Sequence, residues 1–358
     1  MANQSYRAAV IGCGKISRGH ANAYQASDRV DLVAGADVFE AAREGFAKEF
    51  GLSAMYADAA EMLDAEKPDI VSICTWPPMH ADLVELAFSK GVKAVWCEKP
   101  MSVSMDDADR MVNAADAAGG LLVINHQRCY GAAYNQALDL IKEGAIGDLV
   151  QITGICAGDA LTDGTHLIDM TRYLNGDNPV AAVFGAIDMT PMGDVNPDGM
   201  GTVEFNQSRT RYGHHVETSS MAILLFENGV RGHLEMGRIS RGGYQRFLID
   251  GTEGRIEVSG DRAWDDGSRV KVRRADGPQE TLETSELTNM MEGVLADIVA
   301  NFETGKPHRL NGAMAREDLK IINSIYTSAR THMIVRAPLD GAGAPIEEMI
   351  ASGEVAPN

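Results

Sequence analysis

The sequence predicts an α/β doubly wound parallel sheet followed by an α+β domain with a large, mainly antiparallel sheet. Three observations carry that prediction. Strand-like apolar runs alternate with helical segments over the first third of the chain. The first run, Ala8 to Ile11, breaks at Gly12 into Gly12-Cys13-Gly14-Lys15-Ile16-Ser17, a strand–turn–helix signature. Past His126 the pattern changes to alternating apolar and polar residues, the period of strands with one face buried.

The opening turn has a chemical logic. Gly12 lets the chain leave the strand tightly, and Gly14 lets backbone approach a pyrophosphate with no Cβ in the way. Ser17 stands in the third glycine position, small enough for helix to pack on strand. The pyrophosphate would sit at the positive end of the helix. Gly12, Gly14, Lys15 and Ile16 are therefore candidate cofactor-binding residues, and a Rossmann domain is expected. Val30 to Ala36 reads as the second strand, and Asp37 ends it, 20 residues beyond Ser17. That is where the acid that binds the adenosine ribose is expected. Its carboxylate would repel a 2′-phosphate, so NAD is preferred over NADP. The bland alternative is that Asp37 caps the helix starting near Glu40.

Further elements follow in order. Glu40 to Phe50 reads as a helix closed by Gly51, and Tyr56 to Glu66 as another stopped by Pro68. Asp69 to Cys74 is a buried parallel strand, with Thr75-Trp76-Pro77-Pro78-Met79-His80 as the loop at its carboxyl end. Ala81 to Lys90 is a helix. Ala94 to Cys97 is a strand that runs into Glu98-Lys99-Pro100. Ser104 caps a helix to Ala118, and Gly119-Gly120 breaks it before the strand Leu121 to Asn125. Tyr134 to Lys142 is helical. Strands are expected at Leu149 to Cys156, Val180 to Met189, Glu217 to Phe226, Val230 to Gly237, Arg246 to Asp250, Gly254 to Val258 and Arg269 to Arg273. Asn289 to Phe302 and Ala313 to Thr331 are helices. The domain boundaries read as 1–125, 126–335 and a tail 336–358 rich in Gly, Ala and Pro, either mobile or wrapped on a neighbour.

Bulk properties bound the function. The chain has 358 residues, 45% hydrophobic and 23% charged, ordinary for a soluble globular protein. A net charge of −19 disfavours nucleic acid or an anionic membrane as partner. No run approaches the ~20 apolar residues of a membrane span. The N-terminus has no apolar signal core, so the cytoplasm is the expected location. The five cysteines are scattered with no Cys-x-x-Cys, which argues against a disulfide frame or a zinc site. Cys97 as a nucleophile is the weaker alternative to a buried structural thiol.

Ligands of a doubly wound sheet bind at the carboxyl ends of its strands. That rule adds Thr75, Trp76, Pro77, His80, Glu98 and Lys99 to the cofactor candidates. A lysine at a strand end, fixed by the following proline, would face a cationic nicotinamide, which disfavours its ammonium form. It would then suit proton transfer with a carbinol oxygen. The bland reading is a surface lysine. In the second domain, Asp163, His166 and Asp169 recur at helical spacing, with His166 a candidate acid/base oriented by a carboxylate. Such a trio also suits a metal, but hydride chemistry needs none, so no metal is expected. Asn125 and Arg128 follow the last Rossmann strand. They would line the cleft, Arg128 either holding an acidic sugar or making a structural ion pair.

Taken in order, the glycine stretch ending at His20, Asp37, Thr75 to His80, Glu98-Lys99-Pro100 and Gly164-Thr-His166-Leu-Ile-Asp169 resemble the glucose-fructose oxidoreductase / inositol dehydrogenase / rhizopine-catabolism (Gfo/Idh/MocA) oxidoreductase family. Asp250 to Arg255 and Ser324 to Arg330 fit as well. The resemblance implies an NAD(P)-dependent oxidoreductase of sugars, polyols or their derivatives. It implies Lys99 as catalytic lysine, with a cis peptide before Pro100, and His166 as active-site histidine. It also implies a homodimer or homotetramer through the C-terminal sheet. One departure stands out: the inositol type carries an Asp four residues before the histidine, and here that residue is Thr162. Asp163 substitutes, or Asp159 does, or neither. The substrate-binding set is then Lys99, Asn125, Arg128, Asp163 and His166. Two rivals remain: a glycosidase or lyase that recycles bound NAD, and a non-catalytic dinucleotide-binding sensor.

Overall fold

The computed structural model describes residues 5–190, 210–237, 245–260, 269–275, 277–282 and 289–355. The expectations for the extreme N-terminus and for the last three tail residues lie outside these. The chain divides into two compact units. The first holds the chain up to Gln127 together with Asn289–Arg316. The second holds Arg128–Thr288 and everything from Glu317 on.

The first unit alternates β1 (Tyr6–Ile11), α1 (Ser17–Ala26), β2 (Val30–Ala36), α2 (Glu40–Phe50), β3 (Ala54–Tyr56), α3 (Ala59–Glu66), β4 (Ile70–Ile73), α4 (His80–Ser89), β5 (Ala94–Cys97), α5 (Met105–Ala118) and β6 (Leu121–Ile124). The strands form a six-stranded sheet in the order β3-β2-β1-β4-β5-β6, every pair parallel. Ala8, Ala9, Val10, Ile70, Val71, Ile73 and Ala94 to Cys97 have no exposed surface, as the continuous apolar runs require of strands covered on both faces. The sequence missed β3. Tyr56 ends this strand rather than opening a helix, because Ala54–Tyr56 pairs with Ala34–Ala36 and Asp58 then caps α3 by accepting the Glu61 amide at 2.9 Å. Ser104 caps α5 as expected, accepting the Asp107 amide at 3.1 Å. Gly51 and Gly119 end their helices in the left-handed conformation.

The second unit opens with α6 (Ala132–Lys142), β7 (Leu149–Cys156) and α7 (Gly164–Leu174). The strands β8 (Val180–Asp188), β9 (Thr210–Arg211), β10 (His214–His215), β11 (Ser219–Phe226), β12 (Arg231–Gly237), β13 (Gln245–Gly251), β14 (Gly254–Gly260), β15 (Arg269–Arg274) and β16 (Glu280–Leu282) follow. Next along the chain come α8 (Met290–Thr304) and the start of α9 (Gly312–Thr331), both in the first unit, then the rest of α9, β17 (Val335–Arg336) and α10 (Pro345–Ala351) in the second. Among the described residues a nine-stranded sheet runs β16-β15-β14-β13-β7-β12-β11-β8-β17, antiparallel except for β7 beside β12. β9 and β10 form a separate hairpin. One face of the sheet is buried: Ala222, Leu224 and Phe226 of β11 alternate with the more exposed Met221 and Leu225. Gly185 of β8 lies so close to α9 that a Cβ there would meet Ile325 backbone at 2.7 Å.

One expectation about the C-terminal third is corrected. Asn289–Arg316, expected in the second domain, packs with the first unit. There α8 lies against α1, the Tyr6 and Phe302 rings are 5.0 Å apart, and the Ile124 amide donates to Leu310 O at 2.9 Å along the edge of β6. The described part of the tail packs on its own unit. In α10, Ile346 and Met349 are buried, Arg330 of α9 pairs with Glu348 and Glu354, and Glu347 binds His215 of β10 at 2.5 Å. No described helix is long and apolar enough to cross a membrane.

Candidate active site

In the first unit the predicted residues gather at the carboxyl ends of β1, β2, β4, β5 and β6. Gly12 has φ +90°, and a Cβ on it would meet the Cys74 backbone at 2.8 Å, so the turn off β1 depends on glycine. Around Gly14 a Cβ would meet nothing within 4 Å, which leaves open space over the loop. Ser17 turns its hydroxyl back to Gly14 O at 2.6 Å, so the third glycine position becomes part of the loop's bracing. Ile16 precedes α1 with no side-chain cap, so no capping group competes with an anion at the helix start, where the Gly19 amide donates to Ile16 O at 3.0 Å. Lys15 is exposed beside it.

Asp37 is held rather than loose. Its Oδ2 accepts the Cys13 amide and its Oδ1 the Phe39 amide, both at 2.8 Å. Each oxygen keeps a lone pair for a ribose hydroxyl. Arg43, which the sequence reading passed over, donates to Asp37 O at 2.7 Å and to Val38 O at 3.2 Å. This places a guanidinium beside the acid. Thr75 Oγ1 is shielded from solvent with no hydrogen-bond partner among the described residues. Trp76 is 58% exposed and Pro77 is buried. The anion-ready helix start, the open space over Gly14, the braced Asp37 and the orphaned Thr75 hydroxyl fit a dinucleotide.

His80 and Glu98 face inward. His80 has no exposed surface and ties two loops together: Nδ1 lies 3.1 Å from Pro100 O and Met101 O, and Nε2 lies 3.2 Å from Thr75 O. Burial lowers its pKa, against the pull of those carbonyls. Glu98 is 5% exposed. Its Oε1 receives His20 Nε2 at 2.9 Å and Asn125 Nδ2 at 2.5 Å, and its Oε2 receives the Lys99 amide at 3.2 Å. Burial would raise the carboxyl; the hydrogen bond from His20 and that ring's charge when protonated, then the Lys99 charge and the Asn125 amide, outweigh it and hold the group below the usual range. Asn125 also accepts Trp96 Nε1 at 3.0 Å, so its amide is engaged at both ends in supporting Glu98. The Lys99–Pro100 peptide is cis. The five cysteines are buried and none is in a disulfide. Burial pushes Cys13 up to about 12 and Cys74 and Cys97 well above their ordinary value, which suits structural thiols.

In the second unit the loop after β7 feeds α7. His166 stands in the first turn at 2% exposure, Asp169 follows at 1%, and Asp163 immediately precedes the helix at 5%. Arg128 is buried at the start of this unit, where its charge reaches Tyr134 and Cys156. Three residues absent from the sequence reading shape this loop. Arg211 of β9 donates from Nη1 to Asp163 Oδ2 at 2.5 Å and to Asp159 Oδ2 at 3.0 Å. The structure thus ties both candidate carboxylates to one guanidinium. Glu217, before β11, accepts the Ala160 amide at 2.6 Å, the Ser220 hydroxyl at 2.8 Å and the Tyr326 hydroxyl at 2.8 Å. Burial, then the charge of Asp159, raises its carboxyl. Tyr326, from the late Ser324 to Arg330 segment, thereby has a role in bracing the loop. His214 of β10 lies 3.5 Å from Thr162 Oγ1, and burial lowers its pKa. For Arg211 and Glu217 no local sequence signal exists; each is one polar residue next to a short strand.

Known proteins agree with this architecture. Residues 6–126 match the model of an oxidoreductase family with an NAD-binding Rossmann fold, and residues 134–257 match the GFO/IDH/MocA C-terminal domain. The chain is 28% identical to a D-apiose dehydrogenase of Paraburkholderia graminis, over 98% of this chain and 94% of that one. It is 27% identical to a myo-inositol 2-dehydrogenase of Thermotoga maritima, over 70% and 74%. Among solved structures, an aldose-aldose oxidoreductase from Caulobacter crescentus complexed with glycerol superposes with a TM-score of 0.79 at 20% identity, covering 93% of this chain and 100% of that one.

Proposed function

The chain belongs to the Gfo/Idh/MocA oxidoreductase family, and on that premise we propose that it moves a hydride between a carbinol of a sugar, polyol or sugar derivative and a nicotinamide dinucleotide. The observation that carries the reading is the arrangement at the sheet's carboxyl edge. A glycine turn with open space over it, a braced ribose acid and a lysine at the end of β5 occupy one edge of one sheet. The names of the relatives, dehydrogenases of apiose, inositol, glucoside and levoglucosan, support the substrate class.

When bound, the dinucleotide supplies the hydride acceptor. The start of α1 holds its pyrophosphate, and Asp37 holds its adenosine ribose and favours NAD. Lys99 takes the hydroxyl proton as the carbinol is oxidised, and returns it in reduction. His166 assists that transfer. Asp159 is fully buried, its Oδ1 accepting the Thr162 amide and its Oδ2 Arg211, so it braces the loop. Asp163, tied to Arg211 through Oδ2, is the carboxylate that can accept a hydrogen bond from a substrate hydroxyl. The face of the large sheet that leaves Phe184, Met221 and Leu225 exposed supports assembly into a homodimer or homotetramer.

The deciding experiment supplies NAD well below substrate and offers a panel of cyclitols, aldoses, glycosides and sugar acids. NADH is followed by absorbance and substrate loss by NMR in the same sample. Loss that matches NADH and then stops supports the dehydrogenase and names its substrate. Loss running far past the available NAD, with little NADH, replaces it with a lyase or hydrolase that recycles the cofactor. Binding of NAD with no turnover on any member would leave a sensor. Lys99→Ala is expected to lose nearly all turnover while still binding NAD; wild-type-like rates would remove Lys99 from the chemistry.

A further inference from the structure

His20 closes the first turn of α1 with no exposed surface. Its ring lies over the indole of Trp96, centroids 3.9 Å apart. Nε2 meets Glu98 Oε1 at 2.9 Å and Nδ1 meets Ser72 Oγ at 2.9 Å. Ser72 Oγ in turn lies 2.6 Å from the hydroxyl of Tyr24, one turn further along α1 and also fully buried.

Counting protons gives this chain a direction. The Glu98 carboxylate can only accept, so His20 Nε2 carries hydrogen. If Nδ1 accepts, Ser72 donates to it and Tyr24 donates to Ser72, and every hydrogen has an acceptor. If Nδ1 also carried hydrogen, Ser72 Oγ would accept it, and whichever of Ser72 and Tyr24 donated to the other, one of the two buried hydroxyl protons would be left without an acceptor in this chain, a cost of about 1–3 kcal/mol. The one-way arrangement Tyr24 to Ser72 to His20 to Glu98 is therefore favoured, and it delivers a neutral imidazole to an ionised carboxylate. Besides Lys99 and His20 itself, whose charge when protonated also lowers the carboxyl, Cys74, Cys97 and His80 are the titratable groups whose charges interact with Glu98. Burial raises both thiols and lowers the histidine, so none of the three offsets the carboxylate at neutral pH.

We propose that His20 and Glu98 are a buried positioning pair for Lys99, in which a neutral Nε2–H of His20 holds Glu98 ionised, one oxygen on the Lys99 amide, as the fixed counter-charge of the Lys99 ammonium. The amide contact fixes where the side chain leaves β5, and the charge sets how readily it gives up its proton. The catalytic consequence rests on the reading of Lys99 as the proton-transfer group.

Two measurements on the full chain test the pair without any substrate. Competitive acetylation by acetic anhydride across pH, with the Lys99 peptide quantified by mass spectrometry, gives the titration midpoint of that amine. In Glu98→Gln the midpoint is expected to fall by about one pH unit; an unchanged or raised midpoint overturns the counter-charge. NMR of the wild-type protein with 15N-labelled histidine, the His20 signals assigned by their loss in His20→Gln, reads the ring directly. A neutral Nε2–H ring around neutral pH is expected, and an imidazolium or an Nδ1–H ring overturns the directed chain. The second measurement stands even if Glu98→Gln does not fold. Turnover of Lys99→Ala separates the two ideas: persistent activity removes the catalytic reading, while acetylation and NMR still decide the pair.

Discussion

Replacing Arg211 with methionine keeps most of the side chain's bulk and removes one charge from between two buried carboxylates. The Asp159 and Asp163 side chains are 0% and 6% exposed, and Arg211 itself 19%. A pair of unit charges about 4 Å apart is worth about 4 kcal/mol at an effective dielectric constant of 20. Two such attractions act here, and the repulsion between the two acids opposes them. Removing the cation leaves both acids uncompensated, for which about 3–5 kcal/mol is the expected loss. Urea unfolding followed by circular dichroism measures it, with hydrogen exchange of the α7 amides assigning the transition to this unit. In the double variant Arg211→Met/Asp163→Asn part of the loss should return, a coupling of about 1.5–4 kcal/mol. The exposed pair Arg7–Glu66, whose arginine is 46% exposed, serves as comparator and should cost below about 1 kcal/mol when broken. If Arg211→Met behaved like Arg7→Met, or the coupling fell below about 0.5 kcal/mol, the guanidinium would not be what holds this loop.

Three further outcomes follow from single features. Asp37→Ser removes the carboxylate but keeps Arg43 beside it, so the ratio of NADPH to NADH affinity should rise at least about tenfold; an unchanged ratio in titrations would take Asp37 off the ribose. Gly12→Ala forces a Cβ to 2.8 Å from the Cys74 backbone at φ +90°, so it should cost at least about 2 kcal/mol and abolish NAD binding. Gly14→Ala meets only open space, so it should melt like the parent yet bind NAD at least about tenfold more weakly; equal melting losses in the two variants would contradict this. Burial holds His80, His214 and His308 below their ordinary value of 6.5. As pH falls below 6.5 the unfolded chain takes protons first, and stability drops by up to about 1.4 kcal/mol per pH unit for each. Glu217, raised above 4.5, works in the opposite sense as pH falls through its raised value, so Glu217→Gln should steepen the loss. A melting temperature that holds or rises from pH 7 to 5.5 would refute the histidine account.

What was legible in the sequence was local. Buried parallel strands need apolar residues on both faces, so β4 and β5 announce themselves as continuous runs, and Gly51, Gly119 and Ser104 mark helix ends by their own backbone needs. The turn at Gly12 was legible for the same reason: its left-handed backbone is a local need of the chain. What escaped was set by contacts across the chain. β3 is a strand of three residues that exists because β2 offers it an edge. The helix α8 carries apolar residues that would suit either unit. Arg211 acts on an acid 48 positions away, and Glu217 is completed by Tyr326, 109 positions away.

The two buried glutamates show why a residue's type does not settle its role. Glu98 and Glu217 are both almost or wholly without exposed surface, and each accepts three hydrogen bonds. Burial pushes both carboxyls upward, yet only Glu217 ends raised while Glu98 ends lowered. The difference lies in the neighbouring charge. Glu98 receives the His20 ring, with its charge when protonated, and stands next to the Lys99 cation, whereas Glu217 receives only neutral donors and stands near the anion Asp159. Glu98 is thus an electrostatic element, able to act on Lys99 through its charge. Glu217 is a mechanical one: it holds Ala160 and Tyr326 together whether or not it is ionised. Glutamine should therefore replace Glu217 at small cost, since its amide oxygen still accepts Ala160 and Ser220 and its amide N–H can donate to the Tyr326 oxygen, but should not replace Glu98 without moving Lys99's titration.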